Sequence, residues 1–117
     1  MKRELRLRRP RDFARVRAEG QTYRHPLFFM NVAPNGLPHN RYGFVTAKHI
    51  GRAVTRNRAR RLMREAVRWF HTEIQQGYDI VLVARPVIAS EPYSGVLNGV
   101  RTTLERATLV SGGTEDS

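Results

Sequence analysis

The spacing of hydrophobic residues changes several times along the chain, and each change predicts an element. Positions 10 to 20, PRDFARVRAEG, open on proline and close on glycine, the asymmetry of a short helix. Phe13 and Val16, three apart, share its apolar face, and Arg11, Arg15 and Arg17 spread over the remainder. Residues 27 to 33, LFFMNVA, favour a strand. A polar turn, PNGLPHNR, and a second strand at residues 42 to 47, YGFVTA, follow, so a hairpin is the economical expectation. Alternation puts Phe28, Met30 and Val32 in one unbroken apolar row, the expected core row. Leu27, Phe29 and Asn31 form the other row, where the Phe29 ring is either covered by the first helix or offered to a ligand.

The clearest periodicity spans residues 55 to 77, where Ala59, Leu62, Met63, Ala66, Val67, Phe70 and Ile74 recur at helical spacing. At about 100° per residue they fall within an arc of roughly 140°. Asn57, Arg58, Arg60, Arg61, Arg64 and Arg68 occupy the opposite arc, so one face is core and the other almost purely cationic. Thr55 is the expected cap and Gly77 the expected stop. DIVLVA, residues 79 to 84, reads as a buried strand stopped by Arg85-Pro86. Residues 93 to 109 place Val96, Leu97, Val100, Leu104 and Ala107 at helical spacing, weakened by Gly95 and Gly99. The expectation is one domain over residues 1 to 110 and a disordered tail, SGGTEDS, over 111 to 117.

A chain of 117 residues falls within the usual size of one domain. With no cysteine it can form neither disulfides nor thiolate metal sites. MKRELRLRRP lacks the apolar run of a signal peptide, and nothing approaches the roughly 20 apolar residues of a membrane span, so a soluble, cytoplasmic protein is expected. Charge then narrows the partner. Residues 1 to 68 hold 18 basic against 4 acidic side chains, while residues 69 to 117 hold 3 against 6. The N-terminal part should therefore meet a polyanion.

Catalysis by the protein itself is not indicated. The carboxylates are scattered singly, the four histidines have no ligand-like spacing, and no glycine-rich phosphate loop is present. No catalytic residue and no metal site is assigned, and His71 reads as a surface residue. Binding is indicated strongly, because Glu65 is the only acid among the arginines from Arg56 to Arg68, whereas a merely solvated helix alternates its signs. Cations in a helix's first turn, here Arg56 and Arg58, oppose the macrodipole unless an anion joins them. Lys48, His49 and Arg52 extend this basic surface into the preceding loop, where Gly51 serves the turn or the ligand. Phe13 and Phe29 nearby suit single-stranded RNA, whose unstacked bases lie on rings.

The segment GFVTAKHIGRAVTRNRARRLMREAVR, residues 43 to 68, resembles the bacterial ribonuclease P protein subunit. Its heart is Arg56-Asn57-Arg58 followed by Arg60, Arg61 and Arg64, and Asp12-Phe13 and GYDIVLVAR at 77 to 85 fall where that family has similar segments. The resemblance implies an α+β fold, with a sheet of about four strands, a long basic helix in a left-handed βαβ crossover, and N- and C-terminal helices. It also implies a role: partner of a catalytic RNA, ribonuclease P RNA, that cuts the 5′ leader from precursor transfer RNA, with Mg²⁺ held by RNA and not by a protein site. No membrane and no obligate protein partner is implied. By position, Lys48, Arg52, Arg56, Asn57, Arg58, Arg61 and Arg68 would meet the catalytic RNA. Phe13, Arg17, Phe29, Asn31, Arg60 and Arg64 would meet the leader. Arg17 stands where a second aromatic is common and Asn31 where tyrosine is, which trades stacking for charge and hydrogen bonding, and Ala47 and His49 replace the more usual Ser and Lys. The competing readings are a general or ribosome-associated RNA-binding module and, less well supported by its modest apolar face, a membrane-surface helix.

Overall fold

The computed structural model describes residues 1–111; residues 112–117 of the expected tail lie outside the described residues. Helix α1, Pro10–Glu19, begins on the proline that pre-sets its first φ. It ends at Gly20, where a Cβ would lie 2.5 Å from the Val16 carbonyl oxygen and 2.6 Å from that of Val32. Only glycine lets the chain turn so closely from helix into strand. That strand, β1 at Gln21–Arg24, is absent from the sequence reading, because four mostly exposed polar residues carry no apolar alternation.

β2 spans Phe28–Pro34, β3 Arg41–Val45 and β4 Tyr78–Ala84, and the sheet order is β1-β2-β4-β3. The expected hairpin does not form: β2 and β3 are not neighbours, because β4 lies between them, antiparallel to β2 and parallel to β3. The reason is burial. The continuous apolar run of β4 gains most from a central place, covered on both faces and paired on both edges. Asn40 closes the intervening connection by accepting the Tyr78 amide (2.8 Å) and donating to the Gln75 carbonyl (2.8 Å).

Helix α2, Ala53–Phe70, supplies the crossover from β3 to β4. It starts two residues before the expected position, and Thr55 does not cap it; Arg52 takes the cap position without a side-chain bond. It also stops seven residues before Gly77, passing into a 3₁₀ turn at His71–Glu73, while Ile74 is still buried. Gly77, at φ +104°, instead opens the way into β4. His71 is half-buried, its Nδ1 2.8 Å from the Tyr42 hydroxyl, so it is not the surface residue expected. Burial pushes that hydroxyl up to about 12 and keeps it a neutral partner. Helix α3, Tyr93–Arg106, ends three residues before Leu109. Its weak centre has a packing reason, since a Cβ at Gly99 would lie 2.7 Å from the His25 ring.

The sheet divides the core in two. Phe28, Met30, Val32, Tyr42, Ile80 and Leu82 point toward α2 and α3 and meet Met63, Phe70, Val96, Val100 and Leu104. Leu27 joins this core instead of the Phe29 row, because it precedes the strand and escapes its alternation. The opposite face packs against α1 through a small cluster of Leu7, Val16, Ala33 and Val81, with Phe13, Val45 and Val83 at its margin.

Candidate nucleic-acid interface

The α1 face of the sheet is a ladder of cross-strand rows. Registers align Arg41, Asp79 and Ala33 in one row, Gly43, Val81, Asn31 and Thr22 in the next, and Val45, Val83, Phe29 and Arg24 in the third. Helix α1, ten residues long, covers Ala33 and Val81 of the first two. Val45, Val83 and Phe29 stay half-exposed and form an apolar floor along the third.

Two features place α1 so that this floor stays open. Asp79, fully buried at the start of β4, accepts from Arg15 of α1, from Arg41 of β3 (2.9 and 2.8 Å) and from Asn35 (3.0 Å). The hydrogen bond to the Asp79 carboxylate raises the pKa of the Arg41 guanidinium above its ordinary value. Phe13 lies on Gly43, where a Cβ would come within 2.5 Å of its ring. The glycine sets the height of the ring above the sheet.

Phe13 lines a cleft with Arg6, Arg8, Arg60 and Arg64, and Arg60 also donates to Thr46 (2.6 Å) and Asn57 (2.8 Å). A separate shallow cavity on the third row is formed by Arg17, Thr22, Arg24, Phe29, Asn31 and Val83. Guanidinium groups of Arg24 and Arg85 lie 5.5 and 5.1 Å from the Phe29 ring centre, so this ring is neither core nor bare but orders two cations. Asn31 accepts a 2.7 Å bond from Thr22. Thus the six expected leader residues divide between two concavities, Phe13, Arg60 and Arg64 in one and Arg17, Phe29 and Asn31 in the other.

The second expected set divides into free and engaged side chains. Lys48, Arg52, Asn57, Arg61 and Arg68 are exposed, Lys48 in the 3₁₀ turn Lys48–Ile50 and Arg52 at the start of α2. Arg68 makes a weak pair with Glu65 at 3.4 Å. Arg56 turns back to the Gly51 carbonyl (2.7 Å) instead of following Arg60 and Arg64 into the cleft, and so ties the basic loop to the helix. Arg58 does not lie free on the arc away from the core. It donates to the carbonyls of Ala89 and Glu91, 2.9 Å each, and fastens the segment between β4 and α3 onto α2. A helical wheel cannot show this, because the partner is a distant loop.

The sequence reading also missed Val45 and Val83, which looked like ordinary strand residues, and the cations Arg24 and Arg85, which stand alone in the chain. Only the register puts them in one row. Among the described residues no three His, Asp or Glu side chains come together as a metal-ligand group, and no helix is long and apolar enough to cross a membrane.

Comparison with known proteins agrees with this geometry. The family model for Ribonuclease P matches residues 1–108. A ribonuclease P protein component of Roseiflexus sp. is 45% identical over 108 residues, covering 92% of this chain and 88% of the relative. That of Chloroflexus aurantiacus is 40% identical, covering 100% and 87%. The Staphylococcus aureus RNase P protein superposes with a TM-score of 0.84 at 25% identity, covering 92% and 98% of the two chains. The Thermotoga maritima RNase P protein does so at 0.79 and 30% identity, covering 86% and 96%. An α+β chain with a four-stranded mixed sheet, three helices and a cationic crossover helix thus belongs to the ribonuclease P protein family, whose members are protein components of a transfer-RNA-processing ribonucleoprotein.

Proposed function

We propose that this chain binds ribonuclease P RNA through the exposed arc of α2 and the loop before it, and holds the single-stranded 5′ leader of precursor transfer RNA in the groove beside α1. Removal of the leader to give the mature 5′ end is then hydrolysis carried out by the RNA subunit, with Mg²⁺ held by RNA and substrate. The protein's share is positioning. Lys48, Arg52, Asn57, Arg61 and Arg68 offer phosphate contacts with exposed side chains, and Arg56 and Arg58 hold that surface in shape. The cytoplasm is the expected place of action, and no further protein is required.

The observation that supports this reading is the half-buried apolar row of Val45, Val83 and Phe29 beside α1, with Phe13 packed on the same side of the sheet and arginines in both neighbouring concavities. A base can stack on a ring while its phosphates meet arginines, which is how single strands are held without a base code. A duplex would not fit the same logic, because its bases are already stacked.

The test is reconstitution with ribonuclease P RNA. Purified protein alone should not cleave precursor transfer RNA, whereas the complex should release the leader. Phe13→Ala should cost about 1 to 3 kcal/mol in affinity for leader-bearing precursor and leave mature transfer RNA unaffected. Recovery of ribosomal RNA alone from cells, with no leader cleavage on reconstitution, would overturn the proposal in favour of a general RNA-binding module.

A further inference from the structure

Of the N-terminal arginines, Arg6 and Arg8 line the cleft with Phe13, while Arg3 and Arg9 have no part in the site described so far. The Leu7 amide donates to the Tyr42 carbonyl (2.8 Å), and Arg6 and Tyr42 form a parallel bridge, so residues 6 and 7 run along the free edge of β3. Leu7 is buried beneath α1, which anchors the segment. Beside it, Arg3, Arg6, Arg8, Arg9 and Arg41 line a cavity of about 330 Å³ with Glu4 and Asp12. Arg41 is already committed to Asp79 and, at 3.7 Å, to Asp12. Arg3, Arg8 and Arg9 enter none of the ion pairs among the described residues. Five guanidinium groups against the two carboxylates of Glu4 and Asp12 leave an excess of positive charge, and the arrangement becomes more favourable when an anion enters.

Position identifies the anion. Arg6 and Arg8 line this cavity and also the cleft that contains Phe13, Arg60 and Arg64, so the two concavities are continuous. A strand that leaves the groove past Phe13 arrives among these arginines. The cavity offers no aromatic ring and few apolar atoms, so it suits phosphate and not a base. We propose that this N-terminal arginine cavity is a second RNA-phosphate site, which extends the groove beyond Phe13 and is occupied either by a leader-distal phosphodiester of the precursor or by a phosphodiester of the catalytic RNA. It rests on the reading of the groove as an RNA surface.

The experiment uses the full chain with Arg3→Gln and Arg9→Gln taken separately, and Arg101→Gln on α3 as a control that removes equal charge elsewhere. Among the described residues neither the Arg3 nor the Arg9 side chain enters a hydrogen bond or ion pair, so unfolding midpoints should not move. In a first arm the reconstituted enzyme binds precursors with short and long leaders. In a second the protein binds catalytic RNA alone. Leader occupancy predicts that log Kd for the long leader becomes less salt-dependent by about 0.7 per substitution, with the short leader unchanged. Catalytic-RNA occupancy predicts a shift of about 0.7 to 0.9 in the second arm, whatever the leader length. Either result supports the site. Slopes unchanged in both arms, or changed equally by Arg101→Gln, would overturn it, and leader cleavage by the same preparations would show separately that the proposed function stands.

Discussion

The two faces of the sheet are built from the same strands and do opposite work. Toward α2 and α3, alternate residues of β2, β3 and β4 are sealed by two helices, and Phe28, Met30, Ile80 and Leu82 are 0% exposed. Toward α1, one ten-residue helix covers less of the sheet and leaves Val45, Val83 and Phe29 half-buried. The larger share of the core therefore lies on one face, while the other is held by a smaller cluster and the Asp79 network and keeps half-buried apolar residues at its margin. Buried apolar area drives folding, while an apolar floor beneath cations is available for a ligand.

This division can be broken deliberately, beginning with the sealed face. Phe28→Ala should destabilise the protein by about 3 to 5 kcal/mol, read as a lower midpoint in urea, with the precursor-to-mature affinity ratio unchanged at temperatures where it remains folded. A change in that ratio would show that the two faces are coupled. Next, Arg58→Ala should cost about 1.5 to 3 kcal/mol, because two backbone carbonyls lose a charged donor. Arg61→Ala should leave the midpoint alone and instead make catalytic-RNA binding less salt-dependent by roughly 0.7 to 0.9 in slope. Equal effects on stability would erase the distinction between free and engaged arginines.

Gly43→Ala sharpens the comparison from the open side. A methyl group directed at the Phe13 ring must push it from the sheet, an overpacking cost of about 1 to 3 kcal/mol. The precursor-to-mature ratio should fall as well, in the same direction as expected for Phe13→Ala. A stable protein with normal leader discrimination would show that the ring's height is unimportant.

The smallest effect is one of pH and belongs to the sealed face. Burial first, then the Arg106 charge, lowers the pKa of His25, whose Nδ1 accepts the Leu27 amide (3.0 Å) while the ring lies 4.9 Å from that of Phe28. The folded state thus holds this imidazole neutral where the unfolded chain protonates it. Its contribution is present above the unfolded value of about 6.5 and is lost as pH falls from there through the lowered folded value. Melting temperature should drop on acidification over that range, less so in His25→Gln, with groove binding unaffected apart from stability. Equal acid sensitivity in both proteins would remove His25 as the cause.

What could be read from the residues themselves was whatever repeats locally. The period of α2, the apolar row of β2, the buried character of β4 and the cationic arc are nearest-neighbour patterns, and the resemblance rested on their order along the chain. Phe13, Arg60 and Arg64 were legible as one site because helical spacing and a known motif pointed at the same cleft. Pairing was not legible: β4 outcompetes the expected hairpin by gaining two neighbours and two covered faces, a gain that depends on the whole sheet. The same holds for side chains whose partners are remote. Arg58 reads as surface on a wheel and is fastened to Ala89 and Glu91 in space, Asp79 looks like one scattered acid and gathers Arg15, Asn35 and Arg41, and Phe29 acquires Arg24 and Arg85 only through register. Local periodicity determined which faces are apolar and which are charged, and tertiary packing decided which of them would remain open, because covering a face takes a partner from elsewhere in the chain.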